Sequence, residues 1–208
     1  MFLTAHSIID GYKRGIFPMA ESKNHPYIYW VSPEYRGIID INNFTVSKSL
    51  KKVIKKNKFL IKINNDFLGV LKNCSELNNK RTETWINDEI INSYVELNKL
   101  GMATSIESYL DEKLVGGLYG VQLGKIFFGE SMFSKIDNAS KVALVYLVAF
   151  LKEGDFNILD TQYITNHLKQ FGAIEITRKK YLTILSKNIK EKAVFPDKIK
   201  KNVLEYFI

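Results

Sequence analysis

Apolar positions along the chain recur at intervals of three and four in several stretches and alternate or run together in others. The first pattern predicts helices over 5–13, from a Ser47 cap to Lys56, over 66–74, and from an Asn87 cap to Leu100. Three more are expected from 138 or 139 to about Glu153, from a Thr165 cap to Phe171, and over 179–186. Gly101, Gly154 and Gly172 stand where three of these helices should stop. The second pattern predicts strands at 38–41, 59–63, 103–110, 113–121, 125–128, 158–160 and 173–176, with Asp111-Glu112 turning the third into the fourth. Residues 1–36 differ. One short helix is followed by Gly15-Ile16-Phe17-Pro18 and an aromatic, turn-rich stretch through Trp30, Pro33 and Arg36. We read 1–36 as a small N-terminal lobe and 37–208 as the main domain.

Hairpins in the middle and a β-α-β-α-β order at the end place the chain in the α+β (mixed α/β) class. A GNAT-like sheet fits that order, which by itself leaves several folds open. A length of 208 residues suits one domain with a small appendage. The longest apolar run, Val142–Leu151, has ten residues between two lysines. A membrane span needs about twice that, so the run is expected to be a core helix. The opening MFLTAHSIIDGYKRG lacks the pattern of a signal peptide. The single cysteine, Cys74, forms no internal disulfide, and no Cys/His cluster has zinc-ligand spacing. A cytoplasmic enzyme or binding protein is expected.

Net charge is +8, but 26 of the 30 basic residues are lysine, and Lys, Ile and Asn fill 67 positions. A/T-dominated codons produce that bias, so the position of the charge says more than its total. Lys48, Lys51, Lys52, Lys55 and Lys56 share one helical face, with Leu50, Val53 and Ile54 turned the other way. That face is either solvated or a rail for phosphates, since like charges at this spacing repel.

Three further stretches are unusual for packing alone. Leu114–Val121 carries three glycines inside a strand, which marks close approach of a backbone or a ligand. Phe128–Ser134 sets Glu130 among large apolar groups, either paired structurally or awaiting a cation. Asp160 and Gln162 lie two residues apart at a strand end, on one face. By spacing these do not name a reaction.

The blocks GYKRGIFPM (11–19), YWVSPEYRGII (29–39), FTVSKSLKK (44–52), TWI (84–86) and LVGGLYGVQLG (114–124) stand in order. FFGESMFSKIDNASKVAL (127–144), LDTQYITNHLKQFGA (159–173) and ITRKKYL (176–182) complete the series. Over essentially its whole length the chain resembles the leucyl/phenylalanyl-tRNA–protein transferases. The resemblance implies a GNAT-like C-terminal domain behind a small N-terminal one, with no metal and no coenzyme. It implies transfer of Leu, Phe or Met from aminoacyl-tRNA to the α-amine of proteins that begin with Arg or Lys, marking them for N-degron proteolysis. The enzyme would act in the cytoplasm as a monomer, away from membranes.

Carried over position by position, the resemblance makes Asp160 and Gln162 the catalytic pair, with ionised Asp160 hydrogen-bonded to the Gln162 amide and polarising it. Glu130 becomes the counter-charge for the acceptor. Leu118, Gly129, Met132, Leu144, Leu147, Leu151 and Leu159 would form the donor side-chain pocket. Trp85 would stack on the terminal adenine, Met19 occupies a position where many members have an aromatic residue, and the five lysines would meet the acceptor stem. His167 is expected to satisfy a local hydrogen bond. An ester donor and an amine near its pKa need orientation more than a strong nucleophile, which suits the missing Ser/His/Asp and Cys/His sets. An acyl-CoA-dependent N-acyltransferase would want a Gln/Arg-x-x-Gly-x-Gly/Ala loop, and none occurs. An RNA-binding module with a degenerate site sits poorly with Glu130, Asp160 and Gln162 all present.

Overall fold

The computed structural model describes residues 3–77 and 82–208. The helices are α1 (Ala5–Lys13), α2 (Lys48–Lys55), α3 (Phe67–Ser75), α4 (Asp88–Lys99), α5 (Ala139–Glu153), α6 (Asn166–Lys169) and α7 (Arg178–Asn188). Thr4, Ser47, Asp66, Asn87, Thr165 and Thr177 cap six of them, each side-chain oxygen accepting a first-turn N–H. The strands are β1 (Phe17–Ala20), β2 (Ile28–Val31), β3 (Tyr35–Asp40), β4 (Leu60–Ile63), β5 (Ala103–Leu110), β6 (Lys113–Leu123), β7 (Ile126–Ser134), β8 (Ile158–Gln162) and β9 (Ile174–Thr177). β1 and β2 pair as a separate hairpin, and the other seven form one sheet in the order β4-β5-β6-β7-β8-β3-β9. All its neighbours are antiparallel except β7 and β8. This is the expected α+β arrangement, built on one large mixed sheet.

Several elements differ from expectation. The aromatic stretch after Gly15 contains the β1–β2 hairpin, whose four-residue strands, one with a proline, are too short for a clear alternation. β7 runs six residues past Phe128, and α6 stops two residues before Phe171. β3 starts at Tyr35, so a strand of the main sheet crosses the 36/37 boundary.

Each sheet face carries its own core. On one, Ile8, Ile9 and Tyr12 of α1 meet α3, α4, the hairpin and Tyr181 and Leu185 of α7. On the other, the apolar run of α5 is covered by Leu50 and Ile54 of α2 and by Val203 and Tyr206 near the C-terminus. The β6 glycines answer to packing. A Cβ on Gly116 would lie 2.5 Å from the Ala139 Cβ, and one on Gly120 would lie 2.3 Å from the Phe128 carbonyl oxygen. The backbone that approaches here belongs to the protein itself.

Candidate active site

β7 and β8 run parallel for three pairs, Ile126–Ile158, Phe127–Leu159 and Phe128–Asp160, and then part. A cavity of about 260 Å³ opens beyond the last pair. Leu118, Gly129, Met132, Leu144, Leu147 and Leu159 line it, joined by Thr161, Tyr163, His167 and Leu168. Six of the seven expected pocket residues therefore meet around one space. Leu151 does not. It lies on the same stripe of α5 but about 10 Å further along the axis than Leu144, fully buried in the core. The His167 ring also differs from expectation, packing edge-on against Phe171.

Strand alternation sends Asp160 and Gln162 to the face opposite Leu159 and Thr161. There they enter two hydrogen-bond networks. Asp160, 0% exposed, takes Arg36 Nε–H at 2.9 Å, Arg36 Nη2–H at 2.8 Å and the Tyr181 hydroxyl at 2.6 Å. The Arg36 guanidinium, 1% exposed, lies between the Phe17 and Tyr181 rings, 4.5 and 4.7 Å from their centroids. Burial alone would lower the Arg36 pKa, but the adjacent Asp160 carries it above the ordinary value.

Glu130 holds the second network. Its Oε1 accepts from Tyr12 Oη at 2.6 Å and from Gln162 Nε2 at 2.9 Å, and its Oε2 lies 3.0 Å from Tyr94 Oη. Burial is the largest influence on Glu130 and raises its pKa to about 7. Glu130 is 8% exposed and lines the cavity, so the polar cluster and the apolar cavity meet at this residue.

This geometry corrects the expected pairing. The Gln162 amide bonds to Glu130, and Asp160 instead accepts the Gln162 backbone N–H at 2.8 Å. That contact holds Gln162 at φ +59°, a left-handed conformation that costs a non-glycine residue about 1–2 kcal/mol. Asp160 thus sets the backbone from which Gln162 reaches Glu130, and it does not line the cavity.

A family model described as leucyl/phenylalanyl-tRNA protein transferase matches residues 38–186, and the model of that family's N-terminal domain matches 1–34. The chain belongs to the leucyl/phenylalanyl-tRNA protein transferase family. The transferase of Zymomonas mobilis subsp. mobilis is 49% identical over 193 residues, spanning 93% of this chain and 71% of its own length. That of Paramagnetospirillum magneticum is also 49% identical over 193 residues, 93% of this chain and 92% of its own. Among solved structures, L-PGS from Bacillus licheniformis aligns over 76% of this chain and 68% of its own, at 13% identity and a TM-score of 0.48.

The remaining expected site residues of this transferase lie away from the cavity. Met19 and Trp85 are half-buried against the α1-side core, and the Ala20 N–H donates to the Trp85 carbonyl at 3.1 Å, holding their segments together. Tyr29 faces Met19 across the hairpin. Lys48, Lys52 and Lys55 are exposed on α2, and Lys56 is exposed at its C-terminal cap. Lys51 departs from the rail: it is half-buried and donates to the Phe207 carbonyl at 3.0 Å, tying α2 to the C-terminal segment. Arg36, Tyr12, Tyr94 and Tyr181 were given no role by sequence reasoning. One available signal was an arginine in a lysine-dominated chain, because only a planar fork serves a bidentate carboxylate. Another was Tyr12 on the stripe of Ile8 and Ile9, where a buried hydroxyl needs a partner.

Proposed function

We propose that this chain transfers a leucyl, phenylalanyl or methionyl group from aminoacyl-tRNA to the α-amine of a protein beginning with Arg or Lys, marking it for proteolysis. The observation that carries the substrate reading is the apolar cavity of about 260 Å³ with one carboxylate, Glu130, on its wall. The space accommodates a single large apolar side chain and would leave an acidic one desolvated and unpaired. The donor side chain enters the cavity, which places its ester carbonyl at the parting of β7 and β8. The acceptor's positive charge approaches Glu130. Gln162, its Nε2 engaged by Glu130, accepts an N–H of the incoming amine on Oε1 and orients the nitrogen lone pair toward the ester. Arg36, Asp160 and Tyr181 act as positioning residues behind it. No metal or coenzyme is assigned.

Among the described residues no helix is long and apolar enough to cross a membrane. We place the enzyme in the cytoplasm as a monomer, with Trp85 and Met19 at the terminal adenine and Lys48, Lys52, Lys55 and Lys56 along the acceptor stem. A transfer assay with Leu-, Phe-, Met-, Ala- and Asp-charged tRNA and an Arg-starting peptide tests the reading. Leu, Phe and Met should transfer, Ala should fall by at least about 10³-fold because it lacks three carbons of Leu at about 10-fold or more each, and Asp should not transfer because its charge would be desolvated. Equal transfer of Ala and Leu would contradict the pocket assignment. Run at rising salt, the same assay should lose a log–log slope of about 0.7–0.9 for each of the four lysines changed to alanine. An unchanged slope would return them to a solvated face.

A further inference from the structure

Tyr12, Tyr94 and Glu130 form three oxygen–oxygen contacts that close on themselves. The tyrosine hydroxyls are 2.6 Å apart, Tyr12 is 2.6 Å from Glu130 Oε1, and Tyr94 is 3.0 Å from Glu130 Oε2. Each contact needs one proton between its oxygens. With Glu130 ionised, the two hydroxyls supply two protons for three contacts. The arrangement that keeps both short contacts is a chain in which Tyr94 donates to Tyr12 and Tyr12 to Oε1. That leaves the longer contact empty and Oε2 open. With Glu130 protonated on Oε2 there are three protons for three contacts, and the ring closes as Oε2–H donates to Tyr94.

We propose that this ring is the proton acceptor of the transfer reaction, with Glu130 Oε2 taking one proton from the acceptor's α-ammonium and Tyr12 and Tyr94 positioned to receive the carboxylic acid so formed. In this step an N–H bond of the ammonium breaks and its electron pair stays on nitrogen as the nucleophile. An O–H bond forms on Oε2, and the positive and negative charges cancel. The second nitrogen proton leaves later with the tRNA hydroxyl as the ester C–O bond breaks, and the proton on Glu130 returns to solvent. The inference rests on the aminoacyl-transfer reading and deepens the role of Glu130 from counter-charge to base.

Every group facing Glu130 fits this use. Tyr12 on α1 and Tyr94 on α4 are held neutral, their pKa values pushed well up by burial and then by Glu130 itself. Gln162 on β8 donates to Oε1 only. Asp160 on β8 and Arg36 on β3 bear on Glu130 with opposite signs and neutralise each other at 2.8 Å. Tyr119 on β6 lies behind Tyr94, ring to ring. The Glu130 pKa of about 7 lies close to the value of about 8 for an α-amine, so proton transfer between them is nearly balanced.

The sign of two substitutions tests the ring. If each tyrosine simply donated to a carboxylate, either Tyr→Phe change would raise the Glu130 pKa. In the ring, removing one hydroxyl leaves one contact and one proton, which satisfies the ionised form. Tyr12→Phe and Tyr94→Phe should therefore each lower the proton affinity of Glu130 by about tenfold. The double variant, with no hydroxyl left, should titrate above both. Phenylalanine preserves the Tyr12–Phe128 stack at 4.4 Å and the Tyr94–Tyr119 edge contact, and a thermal melt checks that each variant is folded. The readout is a ¹³C NMR titration of the free, glutamate-labelled protein, with Glu130→Gln assigning the signal. The acid limb of kcat/KM for an Arg-starting peptide should follow the carboxyl in each single variant. A single variant that titrates higher, or an unmoved carboxyl, overturns the ring. A carboxyl that moves while the acid limb stays put overturns its use as the base and leaves the transferase reading intact. Absence of any transfer by the wild type would overturn that reading, and the catalytic use of the proton with it, whatever the titration shows.

Discussion

Arg36→Ala is expected to lose about 3–5 kcal/mol of folding stability, the largest effect of any single side-chain truncation around the site. The change leaves Asp160 fully buried with a negative charge and only the Tyr181 hydroxyl and the Gln162 N–H as donors. For a chain of this size the loss corresponds to roughly 6–20 °C in melting temperature. Arg36→Lys should recover part of it, since an ammonium keeps the charge but cannot reproduce the three contacts made by Nε and Nη2. Replacing both partners, Arg36→Met with Asp160→Asn, should cost less than the two single changes added together, because neither charge is then left alone. A thermal or urea melt of the four proteins decides this. Near-additive losses would show that the pair is not coupled as its geometry requires.

Gln162→Gly is expected to lower kcat by about 10²–10³-fold while leaving the donor KM nearly unchanged. Glycine adopts φ +59° without strain, so the variant separates loss of the amide from loss of the backbone shape. Its stability should stay close to wild type. The amide orients the amine only as the new bond forms, so its removal acts on the transition state and not on donor binding. Steady-state kinetics with a varied charged-tRNA concentration tests the split. A raised KM with unchanged kcat would make Gln162 a binding group and end its role in the chemistry.

The helices were legible because their caps and periodicities are local. Ser47, Asn87 and Thr165 cap where expected, and the run from Val142 to Leu151 is the buried heart of α5. The Asp111-Glu112 turn was legible for the same reason, and both residues take positive φ there. Periodicity identifies a face but not a depth, which is why Leu144 and Leu147 reach the cavity and Leu151 does not. Asp160 and Gln162 were correctly placed on one face by strand alternation. Their partners were not legible, because those come from strands adjacent only in the folded sheet. Arg36 stands 124 residues from Asp160 and Glu130 stands 32 from Gln162. The assignment of the Gln162 amide to Glu130 emerges only when β7 and β8 lie side by side.

The measurement that bears most directly on the account is the mass and fragmentation of an Arg-starting peptide after incubation with the protein and leucyl-tRNA. The account predicts a gain of one leucyl residue located on the α-amine, absent when that amine is acetylated beforehand and absent with uncharged tRNA. An unmodified peptide, or leucine found on a side chain instead, would contradict it.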